Sequence, residues 1–166
     1  MVVKLGKVQG YALGLLRLGM GWILLWAFLD KLFGLGFTTT PDKAWLVGNS
    51  PTSGFLLNAT RGPLAEFFKG LAGNVLVDWL FMIGLLLIGL ALIFGILVRI
   101  AAYSGALLFL LMWLAVLPPE HNPFLDEHII YSLVLIALAY VKSGKNLGFG
   151  KKWAKTELVK KYTILE

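Results

Sequence analysis

The sequence contains no cysteine, and only 14% of its 166 residues are charged. Without cysteine the chain can form no disulfide, thiolate metal site, thiol nucleophile or covalent c-type haem link. It also lacks a phosphate-binding loop, a Rossmann glycine pattern, a serine nucleophile elbow and a pair of haem-ligand residues on facing helices. We therefore expect no metal, haem or nucleotide chemistry.

Hydrophobic residues, in contrast, make up 58% of the chain. A soluble domain of this length cannot bury so much apolar surface, so we expect the lipid bilayer to be the solvent of this protein. The net charge is +6, but the basic residues crowd towards the ends of the chain and are not interleaved with aromatic residues. This pattern is typical of membrane topology and argues against nucleic acid as a partner.

Four apolar segments predict membrane-spanning helices at about residues 11–34, 75–94, 99–117 and 124–141. About 20 apolar residues are needed for a helix to cross the hydrocarbon. The second and third segments are predicted to form a tight hairpin, because one fused helix would be about 60 Å long, twice the hydrocarbon thickness. The expected fold is an all-α bundle of four transmembrane helices in a single membrane domain, residues 1–166.

The lysines and arginines predict the orientation of this bundle. Lys4 and Lys7 precede the first span, Arg99 lies in the second turn, and seven lysines follow the last span in the tail 142–166. Because cytoplasmic ends carry the positive charge, we expect a multi-pass plasma-membrane protein with both termini in the cytoplasm. The tail either binds anionic lipid headgroups or recruits a soluble redox partner.

The first outer loop, residues 37–74, begins with a polar, turn-rich stretch. Pro63 suits the first turn of a helix, and apolar residues then recur with helical spacing at Leu64, Phe67, Phe68 and Leu71. This spacing predicts an extra amphipathic helix that lies in the outer interface or re-enters the bundle.

Charged side chains at membrane depth are costly and therefore informative. Arg17 either satisfies backbone carbonyls or a lipid phosphate, or binds an anionic ligand or a quinone headgroup. Asp30 and Lys31 point about 100° apart, so one of them is expected to face inwards. They are either an interfacial pair at a helix end, or Lys31 joins Arg61 in a cationic pocket for a small oxyanion.

The densest polar cluster runs from residue 118 to 128 and contains His121, Asp126 and His128. Its residues are candidates for metal binding, for capping of the last helix, or for proton handling in a redox reaction. No two of them show a helical zinc spacing, so no metal is predicted. Tyr131 lies one turn after Glu127 and would extend a proton path inwards. Trp79 and Trp113 either stack on a flat ring such as a quinone or mark the membrane interface.

Three stretches of this sequence resemble the DoxX/DoxD family of small membrane proteins, over about residues 10–142. They are Arg17 with the nearby glycines and Asp30-Lys31; Ala59-Thr60-x-Gly62-Pro63-Leu64 with Val77-Asp78-Trp79; and the stretch from Trp113 through Pro118-Pro119-Glu120-x-Asn122-Pro123-Phe124-x-Asp126-x-His128 to Tyr131. The last stretch is the most specific. The likeness is greatest to the membrane subunit of thiosulfate:quinone oxidoreductases.

This resemblance implies a four-helix bundle that oxidises thiosulfate to tetrathionate and reduces a membrane quinone, together with a second small subunit or further copies of the chain. Such chemistry needs an outer anion site, for which Lys31, Arg61, His121 and His128 are the available donors. It also needs an aromatic slot for the quinone and a proton acceptor. Two other functions stay open: a non-catalytic scaffold for a soluble redox partner, and a carrier or receptor for a small anion or lipid.

Overall fold

The computed structural model describes residues 6–166, so that Lys4, one of the predicted cytoplasmic lysines, lies outside the described part. Within this range the chain is helical and contains no strand. Its α-helices are α1 Lys7–Phe33, α2 Ser53–Asn58, α3 Ala65–Lys69, α4 Val75–Phe94, α5 Val98–Ala115, α6 Glu127–Tyr140, α7 Gly150–Trp153 and α8 Glu157–Lys161. Short 3-10 turns lie at Pro41–Lys43, Trp45–Val47, Gly62–Leu64, Ser143–Lys145 and Thr163–Leu165.

Three helices, α1, α4 and α5, are long and apolar enough to cross a membrane, and they mark the chain as a membrane protein. The fourth predicted span, α6, is apolar but has only 14 residues. It begins at Glu127 because Asp126 is extended and its carboxylate accepts hydrogen bonds from the amides of His128 and Ile129. The sequence-based start at residue 124 was therefore too early.

Local signals explain the other helix ends. The Asn74 side chain accepts hydrogen bonds from the amides of Leu76 and Val77, and Gly95 ends α4 with a φ of 71°. These are the bounds that the sequence predicted. In contrast, α1 begins at Lys7 and not at Tyr11, because the Gln9 side chain accepts a hydrogen bond from the Gly6 amide and so extends the helix.

The helices pack as antiparallel neighbours, with α1 against α4 and α5 against α6, and α4 joined to α5 by the predicted tight hairpin. The core between them consists of fully buried apolar side chains, among them Leu24, Met82, Leu92, Leu135 and Leu138. Glycines allow the closest approaches: a Cβ on Gly89 would meet the backbone of Leu25, and one on Gly105 would meet Leu135. The absence of a side chain at Gly105 therefore lets α6 pack closely against α5.

The outer loop is more helical than its sequence indicates. The predicted amphipathic helix is present only as the 3-10 turn Gly62–Leu64 followed by the five residues of α3, with Phe68 buried and Phe67 exposed. The polar stretch before it contains α2, which the sequence did not predict. Leu56 of α2 is buried against Phe68 and Ala115, so distant packing and not local pattern stabilises this helix.

The connections separate into two ends of the bundle. One end carries the start of α1, the α4–α5 turn and the folded tail, and the other carries the outer loop and the α5–α6 connection. The tail is attached through hydrogen bonds from the Phe149 amide to the Phe94 carbonyl, at 2.8 Å, and from the Arg99 amide to the Glu166 carbonyl, at 3.2 Å. Lys142 and Lys145 both form ion pairs with the Glu166 carboxylate. Burial raises the pKa of Glu166, but the two lysines outweigh this effect and hold it below its ordinary value.

Arg17 joins α1 to both α4 and the tail. Its side chain is fully buried, and its terminal nitrogens donate to the carbonyls of Leu92 and Ile93 at the end of α4 and of Asn146 and Leu147 in the tail. The carbonyls of Leu92 and Ile93 lack helical partners, because the last turn of any helix leaves its acceptors free. Of the alternatives open from the sequence, the structure favours satisfaction of carbonyls.

Replacement of Arg17 by Met should therefore destabilise the bundle. It removes the donors of four carbonyls, and each buried unsatisfied group costs about 1–3 kcal/mol, so we expect the unfolding temperature in detergent to fall by about 10 °C or more. Lys152→Met, on the exposed tail, is the matched control and should leave the temperature unchanged. Equal unfolding temperatures for both variants would show that Arg17 does not hold the bundle together.

Candidate functional site

A cavity of about 370 Å³ lies in the half of the bundle next to the loop 37–74. Its wall is formed by the last turn of α1, by α2 and α3 of the outer loop, by the first two turns of α4 and by the last half of α5. Two lining residues, Leu80 and Leu111, are 64% and 44% exposed, so the cavity reaches the lateral surface between α4 and α5. Its volume is in the range of small-molecule sites, and a lipid-soluble ligand could enter from the side.

Among residues 6–166, Lys31 is the only charged residue that lines this cavity. Most of the other lining residues are apolar, including Phe55, Phe81 and Met112. Within residues 6–166, Lys31 forms no ion pair at contact distance. An ammonium group in an apolar wall favours a ligand that combines an apolar body with an anionic or hydrogen-bond-accepting group.

Asp30, next to Lys31, is turned away into the outer loop. Its carboxylate is 1% exposed and accepts hydrogen bonds from the amide of Phe37, at 3.2 Å, and from the amide and hydroxyl of Thr38, at 2.9 and 2.7 Å. The expectation that one member of the pair faces inwards is thereby resolved. Asp30 is buried in its own polar contacts, whereas Lys31 lines the cavity.

Asp78 anchors the other side of the cavity wall. This aspartate lies in the first turn of α4, is 6% exposed, and accepts hydrogen bonds from the hydroxyls of Ser50, at 2.9 Å, and Thr52, at 2.5 Å. Thr52 also lines the cavity. Asp30 and Asp78 thus hold the beginning and the middle of the outer loop against the bundle, and the loop closes the cavity.

Asp126 and His128 form a second polar group at the same end of the bundle as the cavity. The Asp126 carboxylate lies 2.8 Å from Nδ1 of His128 while it also caps α6, and both side chains are largely buried. The predicted capping role is confirmed. Possible metal-ligand atoms lie within 4.8 Å of one another on Asp126, Glu127 and His128. The Asp126 oxygens, however, already accept three hydrogen bonds, from the helix amides and from the His128 ring.

The remaining predicted site residues do not line the cavity. Arg61 pairs with Glu120 at 3.3 Å, and His121 is exposed in the α5–α6 connection. Neither residue therefore shares the cavity with Lys31. Tyr131 packs against Phe109 in the core. Arg17 lies at the opposite end of the bundle.

The two predicted quinone-stacking residues are also placed elsewhere. Trp79 packs edge-on against Trp45, with ring centroids 4.7 Å apart, and the Trp113 indole nitrogen donates to the Phe124 carbonyl at 2.7 Å. The aromatic lining residues are instead Phe55, Phe68 and Phe81. Of the sequence-predicted site residues, the cavity therefore contains Lys31 alone.

Sequence reasoning missed Thr52 and Asp78 as parts of a site. The signal for Asp78 was present, since it is the only charged residue between residues 75 and 94. Comparison of the chain with protein-family models, curated proteins and solved structures finds no match. The resemblance to the DoxX/DoxD family therefore stays a prediction.

The Asp126 cap gives a direct test of this part of the structure. Asp126→Ala removes the acceptor of two helix amides and should lower the free energy of unfolding by about 1 kcal/mol, whereas Asp126→Asn keeps an acceptor and should lose much less. Denaturation in detergent measures both. Glu127→Ala, which keeps the cap, is the control, and an Asp126→Ala variant as stable as the parent protein would contradict the assignment.

Proposed function

We propose that this chain is the integral membrane subunit of a quinone-linked oxidoreductase and that the outer cavity receives the quinone. The observation that carries the proposal is an apolar, laterally open cavity in whose wall the described part of the chain places one ammonium group, that of Lys31. A quinone combines an apolar tail with a ring that bears two carbonyl oxygens. The ammonium donates a hydrogen bond to one of these oxygens and stabilises the negative charge that electrons bring to it.

The resemblance to thiosulfate:quinone oxidoreductases supports thiosulfate, or a related small sulfur oxyanion, as the electron donor. Two thiosulfate ions lose two electrons in total and become joined through a new S–S bond in tetrathionate. Reduction of one quinone consumes these two electrons and two protons. Arg61, His121 and His128 are the candidate anion-binding groups on the outer side, and a second small subunit or another copy of the chain would complete the donor site.

The proposal includes a four-span topology in the plasma membrane with both termini in the cytoplasm. In its support, the described lysines of the tail share one end of the bundle with Lys7 and the α4–α5 turn. The cavity then lies in the outer leaflet. A distribution of positive charge to the cytoplasmic side is the general rule for such bundles.

A lipid carrier or receptor is the second candidate, because the same cavity suits an anionic lipid. Its apolar wall would hold an acyl chain, and Lys31 would hold an acidic headgroup. The two candidates differ in one property. Only the oxidoreductase transfers electrons to its ligand.

Lys31→Gln should weaken quinone binding. Loss of a hydrogen bond to a charged group costs about 1.5–3 kcal/mol, so the dissociation constant of a quinone, measured by quenching of tryptophan fluorescence in nanodiscs, should rise about tenfold or more. Lys69→Gln, on the outer surface and paired with Glu66, is the matched control. Unchanged affinity in Lys31→Gln would remove the cavity from the proposal. Quinone binding without reduction by thiosulfate or another sulfur oxyanion would favour the carrier or receptor.

The topology can be tested by single cysteines, because the natural chain has none. Lys43→Cys in the outer loop and Lys152→Cys in the tail both replace exposed lysines. A membrane-impermeant maleimide should label the first in intact cells and the second only after permeabilisation. Labelling of both cysteines in intact cells would refute an arrangement with the outer loop and the tail on opposite sides.

A further inference from the structure

A chain of hydrogen-bonded hydroxyl groups leads through the outer loop to the cavity. The hydroxyl of Ser53, which is half-buried, donates to Oγ of Ser50 at 2.8 Å, and Ser50 donates to the Asp78 carboxylate at 2.9 Å. On the other side of the same carboxylate oxygen, Thr52 donates at 2.5 Å. Because Thr52 also lines the cavity, the chain joins the outer loop to the cavity interior through one ionisable group.

Asp78 differs from Arg17 and Asp30 in the kind of group that forms hydrogen bonds with its side chain. Arg17 is bound by backbone carbonyls and Asp30 mainly by backbone amides, which are fixed in direction. Asp78 is bound by two hydroxyl groups. A hydroxyl both donates and accepts, so it can rotate and pass a proton on, whereas an amide cannot.

Resting on the proposed function, we propose that Asp78 and Thr52 deliver protons to the ligand in the cavity. Reduction of a quinone requires two protons at the ring oxygens, and an apolar cavity excludes the water that would otherwise supply them. Among the described residues that line the cavity, Lys31 alone has a charged group with a proton to donate. If protons arrive through the outer loop, Lys31 keeps its own proton and its positive charge and continues to bind the ligand.

The relay step is balanced in protons. A proton that reaches Asp78 through Ser53 and Ser50 converts the carboxylate to a carboxylic acid. The acid then donates to Oγ of Thr52, and the Thr52 hydroxyl transfers its own proton to a ring oxygen of the reduced ligand. Asp78 is returned to the carboxylate, and a second passage completes the two protons. In the oxidation of a quinol the same groups work in the reverse direction.

The test uses the full chain in nanodiscs and two redox assays. One assay is quinone reduction by thiosulfate, and the other is oxidation of a bound quinol by ferricyanide, which needs proton release but no thiosulfate. Asp78→Asn keeps an oxygen acceptor for Ser50 and Thr52 but cannot carry the proton. Thr52→Val keeps the shape of the side chain, and Thr52→Ser restores the hydroxyl. Asp42→Asn, an exposed aspartate of the same loop, is the control.

We expect Asp78→Asn and Thr52→Val to lower the turnover rate by about 100-fold, with the quinone dissociation constant changed less than twofold, and Thr52→Ser to recover most of the rate. Unchanged turnover in Asp78→Asn overturns the relay and leaves the proposed function standing. A parallel loss of quinone affinity, thermal stability and turnover also overturns it, because Asp78 would then only hold the loop. A parent protein that binds no quinone overturns both proposals, whereas turnover in the ferricyanide assay alone overturns only thiosulfate as donor.

Discussion

The structure depends on one constraint: ionised groups inside an apolar bundle must find polar partners within the chain. Arg17 shows the constraint most clearly. Its guanidinium has no carboxylate partner in the described residues and is bound by carbonyls of α4 and of the tail. The Phe149 amide takes the next free carbonyl, that of Phe94. One buried cation thereby fixes the register of α1 on α4 and brings the tail to the end of the bundle.

The same constraint organises the outer end with the opposite charge. Asp30 and Asp78 each accept hydrogen bonds from the outer loop, at Phe37 and Thr38 and at Ser50 and Thr52 respectively. These two buried carboxylates thus hold the loop 37–74 over the cavity. Packing of Leu56 and Phe68 against Ala115 also holds this loop in place.

The sequence predicted the bounds of α4, which depend on local signals. The predicted start and end of α4 are correct, because Asn74 caps the start of this helix and the left-handed Gly95 ends it. The partners of Arg17 lie from 75 to 130 residues further along the chain. Leu56 of α2 is stabilised by packing against Ala115, which belongs to a different helix, α5. The cavity is a product of five separate segments. No residue spacing in the sequence predicts that these five segments lie together. Lys31 could be predicted as a site residue only because a charged side chain in a membrane span is costly.

The availability of Lys31 follows from the adjacent residue. An aspartate and a lysine next to each other in sequence would be expected to neutralise each other, but successive helical side chains point about 100° apart. Asp30 turns to the amides of Phe37 and Thr38, which satisfy its charge with fixed dipoles. Lys31 therefore lines the cavity and has no ion-pair partner at contact distance among the described residues. The negative charge of Asp30 still acts on its ammonium group. The fixed carboxylate of Asp30 offsets part of the cost of burying the Lys31 ammonium group.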